Sequence, residues 1–482
     1  MNDYINLCRD FISKRKSLLI APAGCGKTYT IAECLKYTEG LHLILTHTHA
    51  GVASLKEKIK EKGITTDKYR VETIDSYAQK YVNAFYCQND VPEQDSKDYF
   101  PFIIEKAFEL VKIKPISDII KLTYEGLFVD EYQDCTKNQH KFIMALSEIL
   151  PTHVLGDPLQ GIFSFRKQQL VEFDKDLKGF EKFELEEPWR WKNTNPELGM
   201  CLMKIRKKLE NKEDIDLNTF KDVIEVVHIN EEDIYKPSTN YNKKIWDLLK
   251  EDNLLIIHPE SRSINIRIEI IKKFENRIYL VEAIDDKDFY KFSKHFDKST
   301  PDNIYNIIYD FICTKAIFKK TGIENWFNKK SLIKKRDEKD RKKIEPIRKN
   351  LEKLQDKISF LLIAQTLKQI RNLPEVLCYR KELFNDLCKA LEEAEYNNTS
   401  VYESMKKIKN RKRRIGRKIE GKCIGTTLLI KGLEFDNVAV LNAHKFEDPK
   451  NLYVALTRAS HKLIVFTNSS ILSPYSKERN VK

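Results

Sequence analysis

The stretch "SLLIAPAGCGKTYTIAECL" passes from an apolar run through a glycine turn into a Lys-Thr pair and an amphipathic segment. Strand, tight turn and helix in that order confine the chain to folds in which a helix starts at a strand end. Gly24 and Gly26 let the backbone turn its N–H groups inward around phosphate, and the helix beginning near Lys27 adds its positive dipole end. Lys27 would reach the β and γ phosphates of a nucleotide, the Thr28 hydroxyl would bind Mg²⁺, and Ala23, Gly24, Cys25 and Gly26 would line the loop. The strict pattern asks for glycine six residues before the lysine, where this chain has Ala21. A glycine-rich turn with a coincidental Lys-Thr pair is the plain alternative.

The rest of the chain repeats the theme. "LHLILTHT", "EGLFVDE" and "HVLGD" are short apolar runs of the kind buried on both faces, and helical stretches are predicted between them at 28–36, 52–62 and 139–149. A second set returns in "VIEVVHI", "NLLIIHP", "CIGTTLLI", "NVAVLNA" and "KLIVFT". Strand–helix alternation predicts an α/β fold with two parallel-sheet domains. The first domain is expected at 1–190, with a short insertion at about 83–121. The second is expected at 191–286 and 421–482, interrupted by a mostly helical, basic insertion at 287–420.

Charge and cysteine usage narrow the partners. With 482 residues, a formal charge of +13 and a pI near 9.0, the chain favours an anionic partner, most often nucleic acid. Ten scattered cysteines, with no CxxC pair, argue against a zinc site and for reduced thiols in a cytosol. The opening "MNDYINLCRDF" lacks the build of a signal peptide, and no apolar run reaches transmembrane length. A cytoplasmic protein without a membrane partner is expected.

"YEGLFVDEYQD" ends a buried strand in two carboxylates. Asp130 at the strand tip can bind Mg²⁺ through water, while Glu131 can orient and deprotonate an attacking water. Charged residues also end strands for no catalytic reason, but the pair follows the loop by about a hundred residues. Arg190 in "ELEEPWRW" and Arg458 in "NLYVALTRASHKLIV" offer guanidinium groups for a γ phosphate; ordinary surface ion pairs are the alternative for each.

Together the motifs "APAGCGKT", "LTHTHAGV", "ETIDSYA", "LFVDEYQD", "LGDPLQGIFSFR", "LEEPWR", "GTTLLIKGLEFDNV" and "LYVALTRA" resemble superfamily 1 helicases of the UvrD/Rep/PcrA type, in that family's order. The family's loop commonly begins with alanine, as at Ala21. The resemblance implies two RecA-like domains with ATP between them and single-stranded DNA across their tops. It implies that Gln160 senses the γ phosphate, and that Arg190 and Arg458 arrive from the second domain on closure. Gly432 and Glu434 would sit near the nucleotide, with Glu434 towards the ribose. On the DNA side, the hydroxyls of Thr46, Thr48, Thr73 and Ser76 can bond phosphate oxygens, and Phe163 and Phe165 would present rings to bases, with core packing as their alternative.

The chain departs from the family in places. No glutamine occurs in residues 1–27 to read adenine, Leu428 replaces a histidine, and Pro188-Trp189-Arg190 replaces Asn-Tyr-Arg. Both insertions look small, and the family uses such insertions to separate strands. The run "KKIKNRKRRIGRK" holds no acids, so Arg411, Lys412, Arg413 and Arg414 are expected on phosphates rather than on a merely solvated helix face. Cys25 is expected to be exposed, with a thiol acidified by the helix dipole. The resemblance therefore implies DNA-stimulated ATP hydrolysis driving 3′ to 5′ movement. The alternative is a nucleotide-gated switch or recruitment subunit of a repair or anti-phage complex with a partner nuclease.

Overall fold

The computed structural model describes residues 2–93, 96–162, 169–234, 236, 239–259, 263–283, 287–314, 316–329, 332–333, 338–415 and 419–475. The chain divides into two compact units, one of residues 1–242 with 431–482 and one of residues 243–430. No helix among the described residues is long and apolar enough to cross a membrane.

The first unit is built on a sheet of six parallel strands: β1 (Lys16–Ile20), β2 (His42–Thr46), β3 (Tyr69–Thr73), β4 (Gly126–Val129), β5 (Thr152–Gly156) and β6 (Glu181–Glu184). Their order is β3-β2-β4-β5-β1-β6. The residues of β2, β4 and β5 are buried throughout, because successive side chains enter opposite cores. Leu18, Leu43, Leu45, Leu127, Val129 and Val154 pack on one face, while Leu19, Ile44, Phe128 and Leu155 pack on the other. The first of these cores also takes Tyr99, Ile103, Ile104 and Ala107 from the helix Tyr99–Leu110, which lies in the short insertion.

The expected helices form at Lys27–Cys34, His49–Glu61 and Lys137–Ile149. Their starts follow local chemistry. Thr48 accepts the amide of Gly51, and Thr136 with Gln139 closes a reciprocal capping box. The strand β3 was not expected, since "YRVET" carries too few apolar residues to read as buried.

The second strand set is divided between the units. In the first unit lie β8 (Glu225–His228), β14 (Phe435–Val440) and β15 (Ala459–Thr467), with β15 pairing parallel to both others; β7 (Ile215–Asp216) and β16 (Ile471–Leu472) make a short antiparallel pair. In the second unit lie β9 (Leu254–Ile257), β10 (Tyr279–Leu280) and β13 (Lys422–Gly425), with β13 parallel to both others. "CIGTTLLI" had been expected as one strand. It stops at Gly425, and Thr427–Ile430 forms a helical turn.

Between β10 and β13 the second unit is mostly helical, with a hairpin of β11 (Phe327–Asn328) and β12 (Leu332–Ile333). Its core is aromatic and aliphatic, including Phe289, Phe311, Phe318, Trp326, Leu367, Phe384 and Leu391. The fold is α/β with parallel sheets, a short insertion in the first and a helical one in the second.

Candidate nucleotide site

All the strands of the first sheet run parallel, so the residues after their carboxyl ends gather at one edge. Ala21 follows β1, Asp130 follows β4 and Asp157 follows β5. Hydrogen bonds close this edge: the Ala21 N–H donates to Gly156 O at 3.1 Å, and the Asp130 N–H donates to Leu45 O at 2.8 Å.

The glycine loop is held by its two glycines. Gly24 has φ +75° and Gly26 φ +86°, in the left-handed region that favours glycine, and Gly26 caps the helix Lys27–Cys34. A Cβ on Gly24 would also lie 2.4 Å from the Trp191 ring. Ala21 needs no such freedom. It is fully buried in the core beneath the loop with Leu19, Ile31 and Leu155, so a small side chain suits the position.

Lys27 Nζ curls back to Ala21 O at 3.2 Å. Thr28 Oγ1 lies 3.5 Å from Asp130 Oδ2. These hard oxygens on adjoining elements fit a small divalent cation that keeps most of its other ligands as water or phosphate. Glu131 adopts φ 55° without being glycine, a strained conformation that places its carboxylate beyond the strand tip. Burial opposes its charge, but Lys27, Lys431, Gln133 and Arg458 together hold its carboxyl below the usual range. Burial and the neighbouring Glu131 charge push Asp130 the other way, with Lys27 partly offsetting them.

Four further cations surround the loop. Arg190 sits on the turn Trp189–Trp191, and its N–H donates to Gly24 O at 3.0 Å. Its guanidinium reaches Thr457 O at 2.6 Å and Glu434 Oε1 at 2.5 Å, leaving a buried Nε without a hydrogen-bond partner among the described residues. Lys431 pairs with Asp134 and also donates to Gln160 O. Arg206 pairs with Asp157 at 2.6 Å. Arg458 is buried and, among the described residues, bonds neutral oxygens: Val454 O at 2.9 Å, Leu433 O at 3.3 Å and Thr457 Oγ1 at 3.1 Å. Burial and the Arg190 charge lower its pKa to about 10, so it stays cationic at neutral pH. Among the described residues, neither Lys27 nor Arg458 has a carboxylate at ion-pair distance, as an incoming polyphosphate would need.

Lys27, Thr28, Asp130, Glu131, Gln160, Arg190, Gly432, Glu434 and Arg458 all belong to the first unit. Arg190 and Arg458 share the loop's own compact unit in this state. Gln160 is buried, with Nε2 donating to Asp157 Oδ2 at 2.9 Å. Gly432 has φ +82° and an open surround, and Glu434 is held by Arg190. Cys25 corrects the sequence reading. Its side chain is fully buried in the core under the loop, and desolvation pushes the thiol up to about 12, outweighing Lys27 and any helix dipole.

The residues read as DNA contacts fare differently. Thr46 is buried at the end of β2, and Thr48 and Thr73 use their hydroxyls as helix caps, Thr73 also donating to Ser76 Oγ at 2.8 Å. Phe163 and Phe165 lie outside the described residues. The helix Val401–Ile415 carries Arg411 and Lys412, while the side chains of Arg413 and Arg414 lie outside the description. Acids absent from the run itself come from the helix Lys381–Asn397: Arg411 meets Glu393 at 3.4 Å, and Lys412 meets Asp386 at 2.8 Å.

Several site residues escaped the sequence reading. Lys431 and Asp134 stand inside quoted motifs, but nothing in one sequence says that they meet. Arg206 lies in no quoted motif, and Tyr453 stands inside "LYVALTRA" with nothing in the letters to say that it meets Ala23 or Arg206. Trp189, 43% exposed, lies 3.6 Å from where a Gly26 Cβ would be, and only its unusual size signalled it.

Residues 7–166 match the family model described as an AAA domain. No curated protein matches the sequence. Among solved structures, the Arterivirus nonstructural protein 10 helicase in complex with DNA aligns at 13% identity and a TM-score of 0.28, over 53% of this chain. This chain covers only 50% of that one. The Pif1 helicase from Candida albicans aligns over 100% of this chain and 99% of its own, at 11% identity and a TM-score of 0.42. Likenesses this shallow bear on neither activity nor substrate.

Proposed function

We propose that the protein is a DNA-dependent ATPase of the UvrD-like helicase class that moves 3′ to 5′ along single-stranded DNA. The observation that carries the reading is the gathering of Lys27, Thr28, Asp130, Glu131, Gln160, Arg190 and Arg458 around one glycine loop within one compact unit. ATP with Mg²⁺, when bound, would supply the phosphoryl group and the charge that the loop is arranged to neutralise. Lys27 and the loop amides would bind phosphate oxygens, and Thr28 with Asp130 would hold the cation. The Glu131 carboxylate would take a proton from water. Arg458 and Arg190 would offset negative charge developing on the phosphate, an effect typically worth ~10³–10⁵ in rate.

The test is steady-state ATPase with single-stranded DNA, duplex DNA and RNA side by side. Glu131→Gln should abolish turnover while retaining nucleotide binding, whereas Lys27→Ala should weaken both. Substantial DNA-stimulated turnover in Glu131→Gln protein would refute the assignment. Movement is read separately: a 3′ to 5′ translocase displaces streptavidin from the 5′ end of a biotinylated strand.

One observation favours a second reading, a nucleotide-gated switch. Arg190 and Arg458 already share the loop's unit in this state, which suits a site that a nucleotide completes by binding. A switch would hydrolyse ATP on DNA and leave streptavidin in place at both ends.

A further inference from the structure

A chain of buried polar groups joins the glycine loop to the turn after β5. The Tyr453 hydroxyl, from the helix Pro449–Leu456, accepts the Ala23 N–H at 3.1 Å. The Arg206 guanidinium, from the helix Pro196–Glu210, donates to the same hydroxyl at 3.3 Å and to Asp157 Oδ1 at 2.6 Å. Asp157 Oδ2 accepts from Gln160 Nε2 at 2.9 Å, and the Asp157 N–H donates to Gln133 Oε1 at 2.9 Å. Gln133 then donates to Glu131.

Stability alone does not account for this arrangement. Desolvating a guanidinium and a carboxylate costs as much as their attraction returns, and well-packed apolar residues often serve a core as well or better. Asp157 is fully buried and Arg206 is 5% exposed, so the full desolvation applies to both. What the pair supplies is direction. One guanidinium fork reaches Tyr453 and Asp157, which touch different parts of the site, and at 2.8 Å Glu210 of its own helix.

We propose that Arg206 and Tyr453 are positioning residues that hold the Ala23 shoulder of the loop and the Gln160 side chain in one register, so that displacement of either end is passed to the other. The role in turnover rests on the ATPase reading above. The mechanical link does not, because it is defined by the contacts themselves. Misplacement of about 1 Å at a reacting centre can cost ~10²-fold in rate, so loss of the bridge lowers kcat more than it raises KM.

The test uses the full chain as wild type, Tyr453→Phe, Arg206→Lys and the double variant. Tyr453→Phe keeps the ring and removes only the hydroxyl, so it folds even if Arg206→Lys does not. Hydrogen exchange is read on peptides covering the Ala23 loop and the Gln160 turn. ATPase is read at saturating single-stranded DNA. Tyr453→Phe should speed exchange at both peptides by about tenfold, because Ala23 loses its acceptor and Arg206 one partner. It should lower kcat about tenfold with KM within about threefold, and the double variant should be no worse than the poorer single. Faster exchange at the loop alone, or additive losses in the double variant, would overturn the bridge. Absence of wild-type ATPase with any polynucleotide would sink the functional reading, and the exchange data would still decide the bridge.

Discussion

Lys431 Nζ lies 2.6 Å from Asp134 Oδ1, with side chains only 5% and 2% exposed, and donates as well to the Gln160 carbonyl. One ammonium thus ties the carboxylate turn after β4 to the turn after β5. A buried ion pair adds little net stability as a pair, but removing one partner leaves an uncompensated charge. Lys431→Met should destabilise the protein by ~3–5 kcal/mol in urea unfolding, and adding Asp134→Leu should restore much of the loss. Equal instability of the single and double variants would show that the cost lies in packing instead.

Cys25 is expected to be chemically quiet. With its side chain buried and its thiol pushed up to about 12, it holds almost no thiolate at pH 8. Iodoacetamide followed by peptide mass spectrometry should label the exposed Cys87 first and leave Cys25 intact with ATPase retained. Rapid labelling of Cys25 with loss of activity would mean that the loop opens far more readily than its packing implies.

Lys409 gives the helical insertion a pH dependence whose sign can be worked out. It is fully buried, 2.8 Å from Asp386 Oδ2 and over the Phe289 ring, with Lys412 and Glu382 also acting on it. Burial lowers its pKa from 10.5 to about 8 despite Asp386. Between those pH values the unfolded chain holds the proton more tightly than the folded one, so the contribution of Lys409 to stability rises with pH. The rise is at most ~3 kcal/mol, and it should be missing from Lys409→Met when the two proteins are unfolded in urea at pH 8 and pH 10. Parallel pH profiles would show that Lys409 is no more buried than an ordinary surface lysine.

The basic run in the helix Val401–Ile415 should matter more for stability than for DNA affinity at the two positions whose side chains are described. Arg411 and Lys412 face Glu393, Asp386 and Glu382 of the helix Lys381–Asn397. Two phosphate contacts would contribute about 1.4 to the slope of log affinity against log salt on a single strand, and we expect the Arg411→Ala/Lys412→Ala variant to lose less than ~0.7. A slope reduced by the full amount would assign both residues to the DNA.

Most of the first sheet could be read directly from the chain. Runs such as "HLILT" and "GLFV" are apolar without alternation because both faces of a parallel strand are covered, and that demand is local enough to show in the letters. The same holds for the loop, where Gly24 and Gly26 mark a backbone conformation that other residues rarely adopt. Ala21 is a finer case. The pattern made it look like a missing glycine, and the fold shows a position that needs a small buried side chain and no unusual backbone angle.

What the letters did not disclose were properties of pairs. Cys25 read as reactive from its neighbours in sequence, but its environment is the core beneath the loop, contributed by β1, β5 and the following helix. Arg411 and Lys412 read as free positive charge because their acids lie on another helix. Arg206, Asp157 and Tyr453 come from two helices and one strand end far apart in the chain, and only the packed fold brings them together. The sequence by itself determined the strand–loop–helix units and which residue types stand at their ends, since these follow from backbone preference and burial over a few residues. Only the tertiary structure decided which charges are paired, buried or left for a ligand, because desolvation and Coulomb energy depend on distances between segments far apart in the chain.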